Sequence, residues 1–456
     1  MLLRPYQSEI ARAVLVSIEN NLGLTFSVEI ARQGGKNELS AHLEVLLLTM
    51  FMSAGGSAIK CSPTFKPQTV ISMSRLKQRL DDFGYEGIWM TEMGYIVRLG
   101  AARQVFLSAE ESSSVVGHTA DILLEIDESQ DVSKEKYSKE FRPMASSTNA
   151  TTVHYGTTWD DSTLLEEIKQ LNLELEKSDG FKRHFRYDWQ EVARHNPNYL
   201  SFVEAERARM GDDHPLFLSQ YALLPIRTGG GFLNRSQIGQ LQGNHTRLRS
   251  RESNRKIYVA GIDLAGEAEI TEELELTVRG RDATVITIAN IDFPPDEAVI
   301  KEPHIQIVEH YCWVGKKHPD LYRLMADVLR NTWGCSRIVV DATGVGEAVA
   351  SFLRSSLGSR VLPFKFSQVS KSALGFNLLA AINSGRLKLY KGDGTEDYRE
   401  LMFELERARS VCRPNQTINF FVDPAEGHDD YLMSLALCVE AASRLRPRKA
   451  VGLIRE

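Results

Sequence analysis

Short apolar runs of strand length recur along the first half of the chain, at Leu24 to Ile30, Gln104 to Ser108, Ile122 to Ile126 and Thr152 to Tyr155, and stretches of helical spacing separate them. Strands alternating with helices predict a mainly parallel α/β sheet, because parallel neighbours need crossover connections. From Leu164 to Met210 charged residues and helical spacing take over, which predicts a helical subdomain over about 164–225. The stretch from Thr228 to Asn254 is polar, opens with Gly229, Gly230 and Gly231, and reads as a linker. A second patterned region follows, with strands at Ile257 to Ile262, Thr284 to Ala289 and Ile305 to Cys312, a helix near Leu321 to Asn331, a strand at Arg337 to Val340, and then helices. Three strands in series before the first helix predict a mixed sheet that begins with a meander. The expected organisation is a first α/β domain over 1–227, a linker over 228–256 and a second α/β domain over 257–456.

Composition narrows this picture. With 456 residues, two to three domains are expected at about 150 residues each. Hydrophobic residues at 43% and charged residues at 25% allow ordinary cores and argue against a disordered chain. The net charge of -6 carries no chain-wide basic signature, so any nucleic-acid surface must be local. One local candidate is the linker, where Arg235, Arg247, Arg249, Arg251, Arg255 and Lys256 face only Glu252; it reads equally as a solvated connector or a DNA-facing strip. The five cysteines are scattered without zinc-like or disulfide-like spacing, which points to a reducing compartment. The longest apolar stretch, around Leu43 to Ala54, contains Glu44 and is too short for a membrane helix, and the N-terminus lacks the apolar segment of a signal peptide. A soluble, non-secreted protein is expected.

The first chemical constellation starts directly after the strand ending at Ile30. Ala31-Arg32-Gln33-Gly34-Gly35-Lys36-Asn37-Glu38 leads into the helical run through Leu39, Leu43, Leu46 and Leu47. Strand, glycine loop, lysine and helix in that order form a phosphate cradle: glycines let N–H groups curl around oxygens, the helix offers its positive N-terminus, and Lys36 neutralises charge. The usual spacing would place Gly at position 30 and Ser or Thr at 37, where Ile30 and Asn37 stand. The run Ile122 to Ile126 then delivers Asp127 and Glu128, a pair suited to holding magnesium through water and polarising an attacking water. Two weaker features fit the same ATP site. Gln7, after Arg4-Pro5-Tyr6, can read an adenine edge or simply start a helix, and Gly156-Thr157-Thr158-Trp159 follows the next strand, where hydrolysis is often coupled to motion.

The second constellation is acidic. Asp263 ends Ile257 to Ile262, Asp341 ends Arg337 to Val340, and Gly427-His428-Asp429-Asp430 heads an apolar helix over Leu432 to Ala442. Acids that converge from two strands and a helix repel one another unless divalent cations hold them. Two ions about 4 Å apart can bind the attacking and leaving oxygens of a phosphodiester, which is nuclease chemistry. His428 can assist a metal, a water or the phosphate. Either Asp429 or Asp430 can instead cap the helix.

Taken together, the segments ARQGGKNE, LLEIDE, GTTW, GIDLAG, VVDATG and GHDDYLMSLAL resemble the large terminase subunit of tailed bacteriophages over nearly the whole chain. That resemblance implies a P-loop (RecA/ASCE-like) ATPase domain with a helical lid, followed by an RNase H-like nuclease domain. It implies ATP with Mg2+ in the first site, held by Gln7, Arg32, Gln33, Gly34, Gly35, Lys36, Asn37 and Asp127, with Glu128 catalytic and Thr157 or Thr158 coupling. Arg32 would respond to nucleotide state. Two Mg2+ or Mn2+ ions are implied in the second site, on Asp263, Asp341 and Asp429 or Asp430. This chain departs from the family at Asn37, which replaces a hydroxyl ligand, and at Val116, where some members carry a trans-acting arginine. Arg98, Arg103 and Arg142 are the candidate substitutes.

The expected function is therefore a packaging motor that hydrolyses ATP to translocate double-stranded DNA into the prohead and cleaves concatemers. Its implied partners are DNA, the portal protein, the small terminase subunit and a homo-oligomeric ring of about five, with no membrane, in the cytoplasm of the infected host and transiently on the portal. DNA gripped through phosphates should bind with steep salt dependence and little sequence preference. The basic tail with Arg444, Arg446, Arg448, Lys449 and Arg455 can contact DNA or portal, or fray. The competing reading is a cellular translocase or repair protein with a resolvase-like nuclease. Against it, only about a hundred residues separate GTTW from the second region, too few for a second motor domain. A non-enzymatic DNA scaffold with degenerate sites is a third class, and it predicts no turnover at either site.

Overall fold

The computed structural model describes residues 3–113, 115, 117–226, 230–264, 283–314, 318–344, 346–413 and 415–446. Val116, the start of the expected linker at Thr228 and Gly229, and the tail residues Arg448, Lys449 and Arg455 lie outside them. The chain divides into two compact units, one of Met1–Glu204, Pro215–Arg227 and Pro414–Gln416, the other of Ala205–His214, Thr228–Arg413 and Thr417–Glu456. No helix among the described residues is long and apolar enough to cross a membrane.

The first unit is built on an eight-stranded sheet. Its strands are β1 (Thr25–Ile30), β2 (Gly56–Ser62), β3 (Met90–Glu92), β4 (Ile96–Leu99), β5 (Ala102–Ser108), β6 (Leu123–Ile126), β7 (Thr151–Gly156) and β8 (His184–Tyr187), in the spatial order β3-β4-β5-β2-β6-β7-β1-β8. The central strands run parallel, and only the β3–β4–β5 edge is antiparallel. Four of these strands escape the sequence pattern: β2, the short strands β3 and β4, and β8. β2 carries Lys60 in its middle, which breaks its apolar run, although Lys60 is only 2% exposed. β8 falls inside the stretch expected to be helical, so that subdomain is not purely helical. Its single buried apolar residue, Phe185, packs near Phe26 and is flanked by the polar His184 and Arg186, which hide the period.

The second unit opens with the short strand β9 (Gly230–Gly231) and continues with β10 (Ile257–Asp263), β11 (Ala283–Asp292), β12 (His304–Val314), β13 (Arg337–Asp341), β14 (Val361–Phe364), β15 (Leu387–Lys388), β16 (Arg409–Arg413) and β17 (Thr417–Phe421). Six of them form a sheet of order β14-β13-β10-β11-β12-β15, and β17, β16 and β9 form a smaller three-stranded one. The expected meander is present: β10, β11 and β12 pair antiparallel, while β13 joins β10 in parallel. Apolar residues of β10 feed cores on both of its faces, Val259 on one and Tyr258, Ala260 and Ile262 on the other.

The described part of the expected linker is not a solvated connector. Phe232, Leu233 and Leu241 are buried in the core of the second unit, and Phe232 stacks on Phe420 with ring centroids 4.8 Å apart. Burying each such side chain contributes about 1.5–3 kcal/mol, enough to fix a segment that polar residues dominate by count. Between them runs the helix Arg235–Leu241, started by a reciprocal capping box of Asn234 and Gln237. Nor is Arg247 a free basic group. It is 7% exposed and paired with Glu309 and Asp397, the latter at 2.7 Å, and it donates to Thr395 Oγ1 at 2.9 Å. Arg249 lies 3.2 Å from Glu309.

Candidate functional site

β1 passes its chain to the loop 31–35 and then to the helix Lys36–Met50. Two glycines are fixed there for different reasons. A Cβ on Gly34 would lie 2.5 Å from Ile30 Cγ2 and 2.7 Å from the Ala31 carbonyl, so space excludes it. Gly35, with φ 98°, takes a left-handed backbone that glycine adopts freely, and Gln33 nearby shares that region at φ 58°. The loop carbonyls are pinned: Tyr6 donates its hydroxyl to Gly34 O at 2.5 Å, and Gln7 Nε2 donates to Gly35 O at 2.9 Å. Anchored this way, the helix N-terminus remains as an anion site. The other end of the Gln7 amide accepts from Arg4 N at 2.8 Å. Gln7 thus ties the loop to the start of its own helix, and reading an adenine would require those bonds to be exchanged.

Lys36 is the first residue of the helix and is 9% exposed, with its Nζ 3.4 Å from Glu128 Oε1. That contact brings the loop and the acid pair after β6 together. Asp127 is buried, which pushes its carboxyl up, while Lys60 and Lys36 act against that shift. Glu128 takes φ 45° and ψ 50°, a left-handed conformation uncommon for a residue with a side chain. Burial opposes its ionisation, but Lys36, Gln130 and Arg32 outweigh burial and hold its carboxyl below the ordinary range. Asn37 is half-buried in the first helical turn. Arg32 is exposed and directs its guanidinium to Gln220 Oε1 at 2.6 Å. Arg98 is engaged across the β3–β4 hairpin with Glu92 at 2.8 Å.

The two threonines after β7 are both buried and have different attachments. Thr157 N donates to Gln130 Oε1 at 3.3 Å, and Thr158 Oγ1 donates to Glu29 Oε1 at 2.8 Å. Gln130 escaped the sequence reading because a lone polar residue after an acid pair looks like turn surface. A second missed group lies beneath the site. Lys60 Nζ reaches Ser40 Oγ at 2.7 Å and Glu44 Oε1 at 3.2 Å, and Ser40 donates to Glu125 at 2.7 Å. Glu125, which interrupts the apolar run of β6, is fully buried, and burial followed by Glu44 drives its carboxyl well up.

In the second unit, parallel pairing sets Ile262 opposite Val340, so the next residues, Asp263 and Asp341, leave adjacent strands at the same sheet end. The helix Asp430–Ser443 crosses the sheet where Gly261 admits it, and Thr287 Oγ1 and Ser434 Oγ lie 2.6 Å apart. Its first residue is thereby brought to the same end, where Asp430 Oδ2 accepts from Ala283 N at 2.9 Å. Asp429 occupies the cap position, but its side chain caps no helix N–H. That role falls to Glu404, whose carboxylate accepts from Leu432 N at 2.7 Å. Sequence reading had no signal for it, since Glu404 lies on the separate helix Glu396–Arg407.

Burial lifts the Asp263 carboxyl well above its usual range, and Asp430, Asp341, Asp429 and Glu404 all push it further. Asp341 is raised by burial and relieved by the Thr343 N–H at 2.8 Å. Asp429 is raised by burial, with Lys371 and His428 acting against it. Among the described residues, no three His, Cys, Asp or Glu groups form a ready-made metal cage. The donor chemistry nevertheless fits hard divalent cations: crowded carboxylates around a buried one are what such an ion relieves.

No protein-family model matches the sequence, and no curated protein does. Solved structures do. The large terminase from a thermophilic bacteriophage aligns over 96% of this chain and 99% of its own, at 12% identity and a TM-score of 0.56. The same protein in complex with ADP aligns over 96% and 99% at 10% identity and a TM-score of 0.55, and in complex with ATP-gamma-S over 96% and 99% at 11% and 0.52. This likeness establishes the fold: an α/β chain with the architecture of a phage large terminase.

Proposed function

We propose that this chain is a DNA-packaging motor in which the first unit hydrolyses ATP and the second cuts DNA. The observation that carries the reading is the pairing of two sites in one chain, the Lys36–Glu128 contact at one sheet end and the convergence of Asp263, Asp341 and Asp430 at another, on a fold shared along 96% of the sequence. The capture of the thermophilic-phage relative with ADP and with ATP-gamma-S supports nucleotide as the ligand of the first site.

In the first site, the loop N–H groups and Lys36 bind phosphate oxygens, with Asp127 and Asn37 the residues that would hold Mg2+. Bound Mg2+·ATP supplies the transferable phosphoryl group and neutralises its charge. Glu128 takes the proton of the attacking water. Thr157 and Thr158 carry the change in the site to Gln130 and to Glu29 of the neighbouring strand β1. In the second site, Asp263, Asp341 and Asp430 would hold two divalent ions. When bound, those ions lower the pKa of water and stabilise the leaving oxygen. Asp430 is preferred over Asp429 because it is the first residue of the helix seated on Gly261 of β10 and its carboxylate is bound to Ala283 N at the start of β11, the strand paired with β10. Double-stranded DNA, a portal, a small subunit and a ring of about five copies complete the proposal, located in the infected cell and transiently on the prohead.

Plasmid cleavage by the purified chain in Mg2+, Mn2+ or EDTA, without ATP, tests the nuclease half. Metal-dependent cutting that Asp341→Ala removes is the expected result. Cutting that persists in EDTA, or in the variant, overturns the assignment.

A further inference from the structure

Glu128 is held from two sides, by Lys36 at 3.4 Å on Oε1 and by Gln130 Nε2 at 2.7 Å on Oε2. The rest of the Gln130 amide is also engaged, since its Oε1 accepts the Thr157 N–H at 3.3 Å. Chemistry fixes which end points where. A backbone N–H can be met only by the amide oxygen, and an ionised carboxylate only by the NH2 group. A flipped amide would lose both bonds. Gln130 is 4% exposed, so neither bond is exchanged freely with water. Its place is kept open by Gly156, where a Cβ would fall 2.1 Å from Gln130 Oε1 and 2.5 Å from Leu165 Cδ2. An amide is thus fitted between β6 and β7, bridging the segment after one strand to the segment after the other.

We infer that Gln130 is a positioning residue of the ATPase site, orienting the Glu128 carboxylate and tying it mechanically to Thr157 at the start of the segment that follows β7. The inference rests on the hydrolytic reading of the first unit. In that reading Lys36 turns to phosphate, so one of the two tethers on Glu128 is withdrawn when nucleotide binds. Gln130 is the tether that stays. Its bond is directed and charge-assisted, and it fixes the direction of the carboxylate. Because the same amide holds Thr157, movement of the β7 exit and reorientation of Glu128 are one event. A carboxylate freed from this tether still attracts water but no longer presents it along a fixed line.

The test is steady-state ATP hydrolysis by the full chain, with binding of a fluorescent ADP analogue measured in parallel. Gln130→Met keeps the length and removes both bonds; Gln130→Glu keeps an acceptor for Thr157 N–H and loses the donor to Glu128. Each should lower kcat by about 10–100-fold, the scale of misplacing a catalytic group, while the KM for ATP and the ADP affinity stay within about twofold of wild type. Near-wild-type kcat in Gln130→Met overturns the inference. So does a parallel loss of ADP affinity and melting temperature, which marks a packing role. A wild type that binds and hydrolyses no ATP removes the motor reading itself, and this inference with it. An active wild type with unaffected Gln130 variants removes only the inference.

Discussion

Gly261 and Cys438 meet without room for a side chain: a Cβ on Gly261 would lie 2.1 Å from the Cys438 nitrogen and 2.2 Å from the Ser434 carbonyl. The helix Asp430–Ser443 therefore rests directly on the backbone of β10, and this contact carries Asp430 to Asp263. Gly261→Ala should push the helix away, at a cost of about 1–3 kcal/mol for an overpacked contact, and sharply reduce metal-dependent cutting. Thermal unfolding and plasmid cleavage on the same preparation check it. Unchanged cutting would mean that the helix position does not set the acid site.

Lys60 is a buried cation facing two buried acids, Glu44 and Glu125. Lys60→Met removes the cation of that group and leaves the Glu44 carboxylate without it, which should cost about 3–5 kcal/mol in urea denaturation. Adding Glu44→Gln should recover much of the loss, because the group then buries less negative charge. A Lys60→Met variant as stable as wild type would show that the cation is dispensable.

His154 is fully buried between Ser129 Oγ at 2.9 Å and Tyr137 OH at 3.1 Å, and burial lowers its pKa to about 3. The unfolded chain binds this proton near pH 6.5 and the folded one does not, so the contribution is complete above 6.5 and is lost as pH falls from there towards 3. The expected slope is at most about 1.4 kcal/mol per pH unit. Urea midpoints at pH 7.5 and 5.0, for wild type and His154→Gln, isolate it. The variant should lose less stability on acidification, and equal losses would contradict the assignment.

Lys36→Ala should abolish ATP hydrolysis and leave plasmid nicking intact, whereas Asp263→Ala should do the reverse. Malachite-green phosphate release and gel-resolved cleavage read the two outcomes. Loss of both activities in either variant, with the fold preserved by circular dichroism, would argue against separate sites.

Legibility in the sequence followed chemical locality. The loop Arg32 to Lys36, the pair Asp127 and Glu128, and the acids Asp263 and Asp341 were readable because each sits at the end of an apolar run, where a strand must stop and its last polar residue is presented. Lys60 misled in the opposite direction. It looked like an interruption of a core strand, and it is tolerated because Ser40 and Glu44, on the helix that packs over the sheet, supply its partners. Arg247 looked like part of a DNA-facing strip and proved to be locked to Glu309 and Asp397, more than sixty residues away. The linker disappeared for the same reason, as three apolar residues among polar ones found a core that composition could not announce.

Period and order along the chain determined the strands that lead into both sites, the α/β class and the three acidic strand and helix ends, because these depend on which residues are neighbours in sequence. The tertiary structure alone decided which polar groups pair and which stay available. It placed Gln130 between Glu128 and Thr157, gave the cap of the last helix to Glu404 rather than Asp429, and turned the Gln7 amide onto the phosphate loop. Such pairings form between groups brought together by sheet order and helix packing, and their energy depends on distance and burial, neither of which is written in a run of adjacent residues.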